Sequence, residues 1–513
     1  LLAAVVWLSF SAGLRPLTQP DEGRYIGVAW EMLQSGRWAV PTLDGLPFFH
    51  KPVLFYWITA AALKLFGANP WAGRMASLVG ALLALVPLYF FTRRWCGERL
   101  ARLSTLVLAT QPFFFVGAQF ANLDMLVAGC IGATVLLGAD AVLRAERGLP
   151  HRAVLCGAYA MAALGILAKG LIGGVLPVGV LLAWVLVERR PRALLTLLSA
   201  SGLLVFLLVG VPWFALMQLR FPDFFHYFFI HHHFQRYASS GFNNEFGAWF
   251  YPPVVLLLTL PWSLWLFGAL RRRPVAEAAP GPRVGSLMVC WLLAVLVFFS
   301  VPRSKLVGYV LPLLPPLAWL LASALQRLSA RAIRAWAAAA MLLCLGAVAA
   351  AVAFDKRNSE PLAAVLRAQR QAEEPVIYIG HYPYDLALRA GLKKPPPVLE
   401  DWALARRENR DNWRQELFEA GDFDPAAAAV QLIDREAAVA RLCAAPVGWL
   451  VAPRSVVQAD PLWRRAQEMA VTKDASLWKL DRAALPCGRE PAYAGPGRPK
   501  PARVPPGDRF MHS

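Results

Sequence analysis

The chain has 513 residues, 57% of them hydrophobic and 17% charged, with a mean hydropathy of +0.45. Soluble domains carry roughly 25% charged residues, so an ordinary soluble enzyme is excluded and an integral membrane protein is indicated. The formal net charge of +19 lies mostly on residues 1–354, which hold 28 of the 52 basic and 12 of the 33 acidic residues; basic loops beside membrane spans account for it, and no nucleic acid partner is expected.

Hydropathy divides residues 1–354 into about eleven spans of ~17–25 residues each. They fall near 1–14, 72–92, 103–118, 125–143, 153–168, 171–187, 194–216, 249–270, 285–301, 306–325 and 332–354. Tyr56–Phe66 is a further span or an interfacial helix, so the expected range is about 11–13 transmembrane helices. The first apolar run opens without Met, which predicts further residues upstream, and no basic n-region marks it as a cleaved signal peptide. The short loops 93–102, 144–152, 188–193, 271–284 and 326–334 are rich in Arg and share one side by parity, which marks that side as cytoplasmic. The outward loops 15–71 and 217–248 and the tail then face the other way.

Within the first outward loop, Pro20-Asp21 opens a helical stretch in which Ile26, Trp30 and Leu33 share a face. It reads as an amphipathic helix in the membrane interface, with Asp21 as its N-cap. Asp21, Glu22, Arg24, Glu31, Arg37, Asp44, His50 and Lys51 crowd this segment between apolar runs, and charges against a bilayer mark a site. The same face carries Asp124 at the mouth of a span, Lys169 at a break between two apolar runs, Arg236 after His231–His233, and Arg303 with Lys305 between two spans. Carboxylates and many cations at a membrane surface suit a lipid-linked phosphate. Lys and Arg neutralise its oxygens, and a carboxylate serves as base for an incoming hydroxyl.

The tail changes character at Asp355. Residues 355–490 show helix-like runs (Glu360–Gln371, Asp424–Cys443) and a strand-like Pro375–Gly380, as a small α/β domain would. Residues 491–513, Pro/Gly-rich and basic, read as a disordered tail. Cys443 and Cys487 are the two cysteines of this region; pairing is permitted outside the cytoplasm but not fixed by two residues.

Several motifs together resemble a known group. They are Asp21-Glu22-Gly23-Arg24-Tyr25, Glu31-Met32, Ser35-Gly36-Arg37-Trp38, Phe49-His50-Lys51-Pro52, Leu123-Asp124-Met125, Ala168-Lys169-Gly170, Pro261-Trp262-Ser263 and Arg303-Ser304-Lys305-Leu306 with Tyr309. In order, they resemble the bacterial lipid-carrier-dependent glycosyltransferases of the GT-C type, typified by the lipid A 4-amino-4-deoxy-L-arabinose transferases and related to protein O-mannosyltransferases. The resemblance implies a polytopic α-helical membrane protein with a C-terminal extracytoplasmic α/β domain, in the bacterial inner membrane with its site facing the periplasm. It implies transfer of a sugar from a polyprenyl (undecaprenyl) phosphate donor to a lipid, glycan or protein acceptor. Asp21, Glu22, Lys51 and Asp124 are then the expected catalytic residues, and Arg24, Lys169, Arg236, Arg303 and Lys305 the phosphate-binding ones.

Two departures bear on the sugar. His50 stands where the aminoarabinose transferases usually carry an acid, and Phe48 where an aromatic hydroxyl is often found; an acid would bind an amino sugar's ammonium better than His50. Transport or flipping of a lipid-linked sugar without chemistry is the competing reading. No cofactor is required, although a divalent ion held by His50, one of His231–His233 and a carboxylate such as Glu22 is a possible arrangement. The alternative is that these histidines are loop and interfacial residues.

Overall fold

The computed structural model describes residues 1–235, 245–266, 281–354 and 358–487. Seven helices among them are long and apolar enough to cross a membrane: Met75–Cys96, Leu123–Glu146, Arg152–Lys169, Ala200–Arg220, Arg283–Ser300, Val307–Leu325 and Ala330–Phe354. An eighth span forms if Glu98–Thr110 and Pro112–Ala118 count as one, bent by 68°. The bend has a local cause: Pro112 disfavours a helical residue before it, and Gln111 is extended at φ −65°, ψ 123°. Leu54–Phe66, Ile172–Val187 and Ala248–Leu258 are shorter apolar helices, so the described residues hold seven or eight long spans where about eleven were expected. The first apolar run supplies a short helix, Leu2–Ser9.

Leu123–Glu146 is the axis of the bundle, with nearly all of its length buried. Met75–Cys96 lies against it so closely that a Cβ on Gly80 or Gly129 would collide with the opposing backbone. Small residues at such a crossing let two helices pack through backbone contact, the main source of attraction where lipid removes the hydrophobic drive.

The loop helix runs Asp21–Ser35 and ends at Gly36, whose φ of +68° closes the C-terminus. Asp21 is its first helical residue rather than its cap; Pro20 holds the cap position and no side chain bonds the first turn. The helix was expected to lie in the interface with one face open. Instead Glu22, Gly23, Ile26, Gly27, Val28, Ala29 and Met32 are all buried, because the C-terminal domain covers the side away from the bundle. A two-residue hairpin, β1 (Thr42–Leu43) and β2 (Leu46–Pro47), follows, turning through Asp44 and Gly45 at positive φ.

The C-terminal domain is a six-stranded mixed sheet made of β3 (Val376–Ile379), β4 (Val398–Leu399), β5 (Leu432–Ile433), β6 (Val447–Ala452), β7 (Gln467–Val471) and β8 (Ser476–Asp481), in the order β5-β4-β3-β6-β8-β7. The half from β5 to β6 is parallel and connected through helices, and β8 and β7 add an antiparallel edge. Its core gathers Ile377, Ile379, Leu450, Ala452, Trp463 and Leu480. The helix expected over Asp424–Cys443 is interrupted. Leu432–Ile433 pairs with β4, and Asp434 then caps a new helix, its side chain accepting from the Ala437 N–H at 2.9 Å. Cys443 and Cys487 form a disulfide.

Candidate active site

The loop helix, the ends of several membrane helices and the C-terminal domain line a cavity of about 590 Å³. Asp21, Arg24 and Tyr25 come from the first turns of the loop helix, and His50 and Lys51 from the segment after the hairpin. Asp124 sits in the first turn of its span, where Asn122 caps the helix by accepting from the Asp124 N–H. Lys169 is the last residue of its helix; Gly170, at φ +95°, turns the chain away immediately after it.

Lys169 pairs with Asp124, and its ammonium lies 4.3 Å from the centre of the Tyr309 ring. Any side chain at Gly308 would collide with the Asp124 carboxylate. The pair is thus held between an aromatic face and bare backbone. Arg24 donates to Asp21 Oδ1 at 3.0 Å and also pairs with Glu416 of the C-terminal domain. His50 stacks on Phe48 with ring centres 4.6 Å apart and brings Nε2 to 3.6 Å from Glu419 Oε2. Glu419 also accepts from the Tyr227 hydroxyl at 2.7 Å and from Gln415 Nε2 at 2.9 Å.

Below the charged mouth the walls turn apolar. Val127 and Ile131 continue the face of Asp124 one and two turns further along the span, and Ile172, Val175, Phe298 and Phe299 add further apolar lining. From Asp124 to Ile131 the lining runs about 10 Å along the helix axis. The cavity is therefore amphipathic, charged at one end and lipid-like along its depth.

Of the residues singled out in sequence, Asp21, Arg24, Lys51, Asp124 and Lys169 line this cavity. Glu22 does not. Its fully buried carboxylate accepts from Arg15 (2.6 and 3.0 Å), Arg74 (2.8 and 2.9 Å), the Thr18 N–H (3.0 Å) and the Ala121 N–H (2.8 Å). Burial opposes its charge, but the Arg74 and Arg15 guanidiniums outweigh that and hold its pKa near 2. Glu22 is a fixed anion that ties the loop helix to two spans, in place of the catalytic role expected of it. The side chain of Arg303 is exposed and lies outside the cavity lining. Lys305 is buried and turned to the Pro302 carbonyl, also off the lining. Arg236 and the side chains of His231–His233 lie outside the described residues. Among the described residues no group of three or more His, Cys, Asp or Glu side chains could hold a metal ion; Glu22 is engaged by Arg15 and Arg74, and the histidine run of the expected arrangement lies outside the described side chains.

Sequence reading missed Asp411, Gln415, Glu416 and Glu419, which reach the cavity from beside and along the helix Trp413–Phe423. The signal available was their helical spacing, since Gln415, Glu416 and Glu419 share one face.

The dolichyl-phosphate-mannose-protein mannosyltransferase family profile matches residues 50–215. An undecaprenyl phosphate-alpha-4-amino-4-deoxy-L-arabinose arabinosyl transferase of Aeromonas hydrophila is 34% identical over 314 residues, taking in 60% of this chain and 56% of that protein. The protein of the same name from Erwinia tasmaniensis is 35% identical over 316 residues, 60% of this chain and 55% of that protein. The chain thus spans a little over half the length of the curated relatives it matches. The crystal structure of ArnT from Cupriavidus metallidurans bound to undecaprenyl phosphate superposes with a TM-score of 0.80 at 24% identity, covering 93% of this chain and 96% of that one. Its apo state gives 0.78 at 23% identity, over 94% and 97%. The chain is a multi-span membrane protein with the GT-C-type fold of ArnT, and it resembles the undecaprenyl phosphate-aminoarabinose transferases in sequence as well as in architecture.

Proposed function

We propose that this chain is a membrane glycosyltransferase that moves a sugar from an undecaprenyl phosphate carrier to an acceptor such as lipid A, another envelope glycan or protein. The observation that carries the reading is the amphipathic cavity, in which charged residues gather at the mouth and apolar spans line the depth. An isoprenoid chain fits the apolar part while its phosphate reaches the cations. The curated relatives carry the name of this reaction, and one solved structure of the same fold holds undecaprenyl phosphate.

In this reading Lys51 and Lys169 stabilise the phosphate charge that grows as the bond to the anomeric carbon breaks; cations in a water-poor pocket do this well. Asp124 holds Lys169 in place. Asp21 orients or deprotonates the acceptor hydroxyl, and only positions it where the acceptor is a phosphate that is already ionised. Arg24, engaged by Asp21 and Glu416, lines the same mouth. The sugar is an amino sugar: the acid absent at position 50 is supplied from the C-terminal domain by Glu419, with Asp411 and Glu416 nearby on the lining.

In the same reading the cavity and the C-terminal domain face the periplasm of a bacterial inner membrane, which the Arg-rich loops expected on the opposite side support. A reporter fused after Gly488 should be active only if it works in the periplasm; cytoplasmic activity would overturn this sidedness. The reaction itself is tested by incubating purified protein with undecaprenyl phosphate-linked 4-amino-4-deoxy-L-arabinose and lipid A and reading the product by mass spectrometry. Asp21→Asn should lower turnover about 10²-fold or more, and near wild-type turnover in that variant would remove Asp21 from the chemistry.

A further inference from the structure

We propose that Glu416 and Tyr384 of the C-terminal domain are positioning residues for Asp21, acting through Arg24; the inference rests on the proposed role of Asp21 in transfer. Arg24 lies one turn after Asp21, and its Nη2 donates to Asp21 Oδ1 at 3.0 Å. Its Nη1 donates to Glu416 Oε1, and the other oxygen of Glu416 accepts from the Tyr384 hydroxyl at 2.7 Å. The guanidinium lies near the rings of Tyr25 and Tyr384, 5.2 and 5.8 Å from their centres. A planar fork held this way has few orientations left, and it passes its own placement to Asp21.

Arg24 is shared between two carboxylates, so one arm of its fork directs Asp21 while the other is anchored on Glu416. Asp21 is itself 53% exposed, and among the described residues its second oxygen has no hydrogen-bond donor, so Arg24 is what fixes it.

The backbone supports the same relay. Gly23 and Gly27 form the surface of the loop helix on which the tail rests: a Cβ on Gly23 would lie 3.1 Å from Tyr384 Cβ, and one on Gly27 2.9 Å from the Tyr384 carbonyl oxygen. Tyr384 is thereby seated on the helix that carries Asp21 and Arg24. Apart from this seat, Trp30 Nε1 donates to the Leu392 carbonyl at 3.1 Å. The C-terminal domain is part of the site's machinery through a chain of contacts from Tyr384 to Asp21.

The test is steady-state transfer by the full-length protein, with undecaprenyl phosphate-linked 4-amino-4-deoxy-L-arabinose as donor and lipid A as acceptor. Glu416→Gln should lower kcat about tenfold while KM changes less than about twofold, because misplacement of a reacting group costs rate more than binding. Tyr384→Phe, which removes one hydroxyl, should move kcat the same way by less, and it carries the test if Glu416→Gln does not fold. In an Arg24→Gln background, adding Glu416→Gln should cost nothing further, since the relay is already cut. Trp30→Phe, which loosens the same contact away from the relay, should leave kcat unchanged. Full kcat in both Glu416→Gln and Tyr384→Phe, additive losses in the double variant, or an equal loss in Trp30→Phe would each overturn the inference alone. A wild-type protein that transfers no sugar would overturn the transferase reading and this inference with it.

Discussion

Asp21 and Glu22 are adjacent acids, yet a helix turns neighbouring side chains about 100° apart, and here that rotation separates a cavity from a protein interior. Glu22 answers two buried guanidiniums, Arg15 and Arg74. Removing its charge leaves both uncompensated, a change that typically costs about 3–5 kcal/mol. Glu22→Gln is therefore expected to lose folded protein, read as a lower apparent Tm and poor recovery in detergent. In Asp21→Asn the Tm should barely move. A second acidic pair gives a pH signature. Glu31 accepts from Thr42 Oγ1 and the N–H groups of Asp44 and Gly45, but burial outweighs those bonds and lifts its pKa to about 7. Burial and the nearby Glu31 charge push Asp44 up as well, against a hydrogen bond from Tyr382 that lowers it. A carboxyl whose folded pKa is raised favours the folded state at low pH and loses that advantage as pH climbs through the folded value. The apparent Tm should thus fall from about pH 5 to pH 7.5. Glu31→Gln should flatten that slope without abolishing it, because Asp44 titrates in the same direction; an unchanged slope would refute the assignment.

Helices and strands record where local sequence spoke clearly and where distant contact decided. Asp124 and Lys169 stood out because each interrupts a long apolar run, and the two span ends bring them together. The break at Asp434 was also readable in principle, since Asp before a helical run is a cap, but a continuous alanine-rich stretch concealed the two-residue strand that only β4 stabilises. Glu416 and Glu419 gave no such contrast: in a tail of mixed charge another acid is unremarked, and their partners Arg24 and His50 lie hundreds of residues away in sequence. The Gly80–Gly129 crossing was likewise hidden, as glycine in an apolar span has no pattern of its own. Gly129→Val should push the two central helices apart, an overpacking cost of about 1–3 kcal/mol or more. Gly179→Val, where a Cβ meets nothing within 4 Å, should be silent. Thermal melts of the two variants in the same detergent check this; equal Tm values would mean that the crossing yields easily.

At the scale of the whole molecule, membrane character follows from composition and hydropathy, because lipid demands apolar spans whatever the fold. How the tail sits on the first loop does not follow, since it rests on single contacts such as Trp30 to Leu392 and Gln19 to Ser359. The apolar depth of the cavity has a kinetic consequence. On the proposed reading, a donor whose tail lay among Val127, Ile131 and Ile172 would be collected from the plane of the bilayer, by a search in two dimensions. What the protein senses is then the mole fraction of carrier in its own leaflet, whatever the amount per millilitre of sample. Adding inert phospholipid to proteoliposomes at fixed total donor should slow transfer in proportion to the dilution within the surface, while concentrating the same vesicles into a smaller volume should leave turnover per protein unchanged.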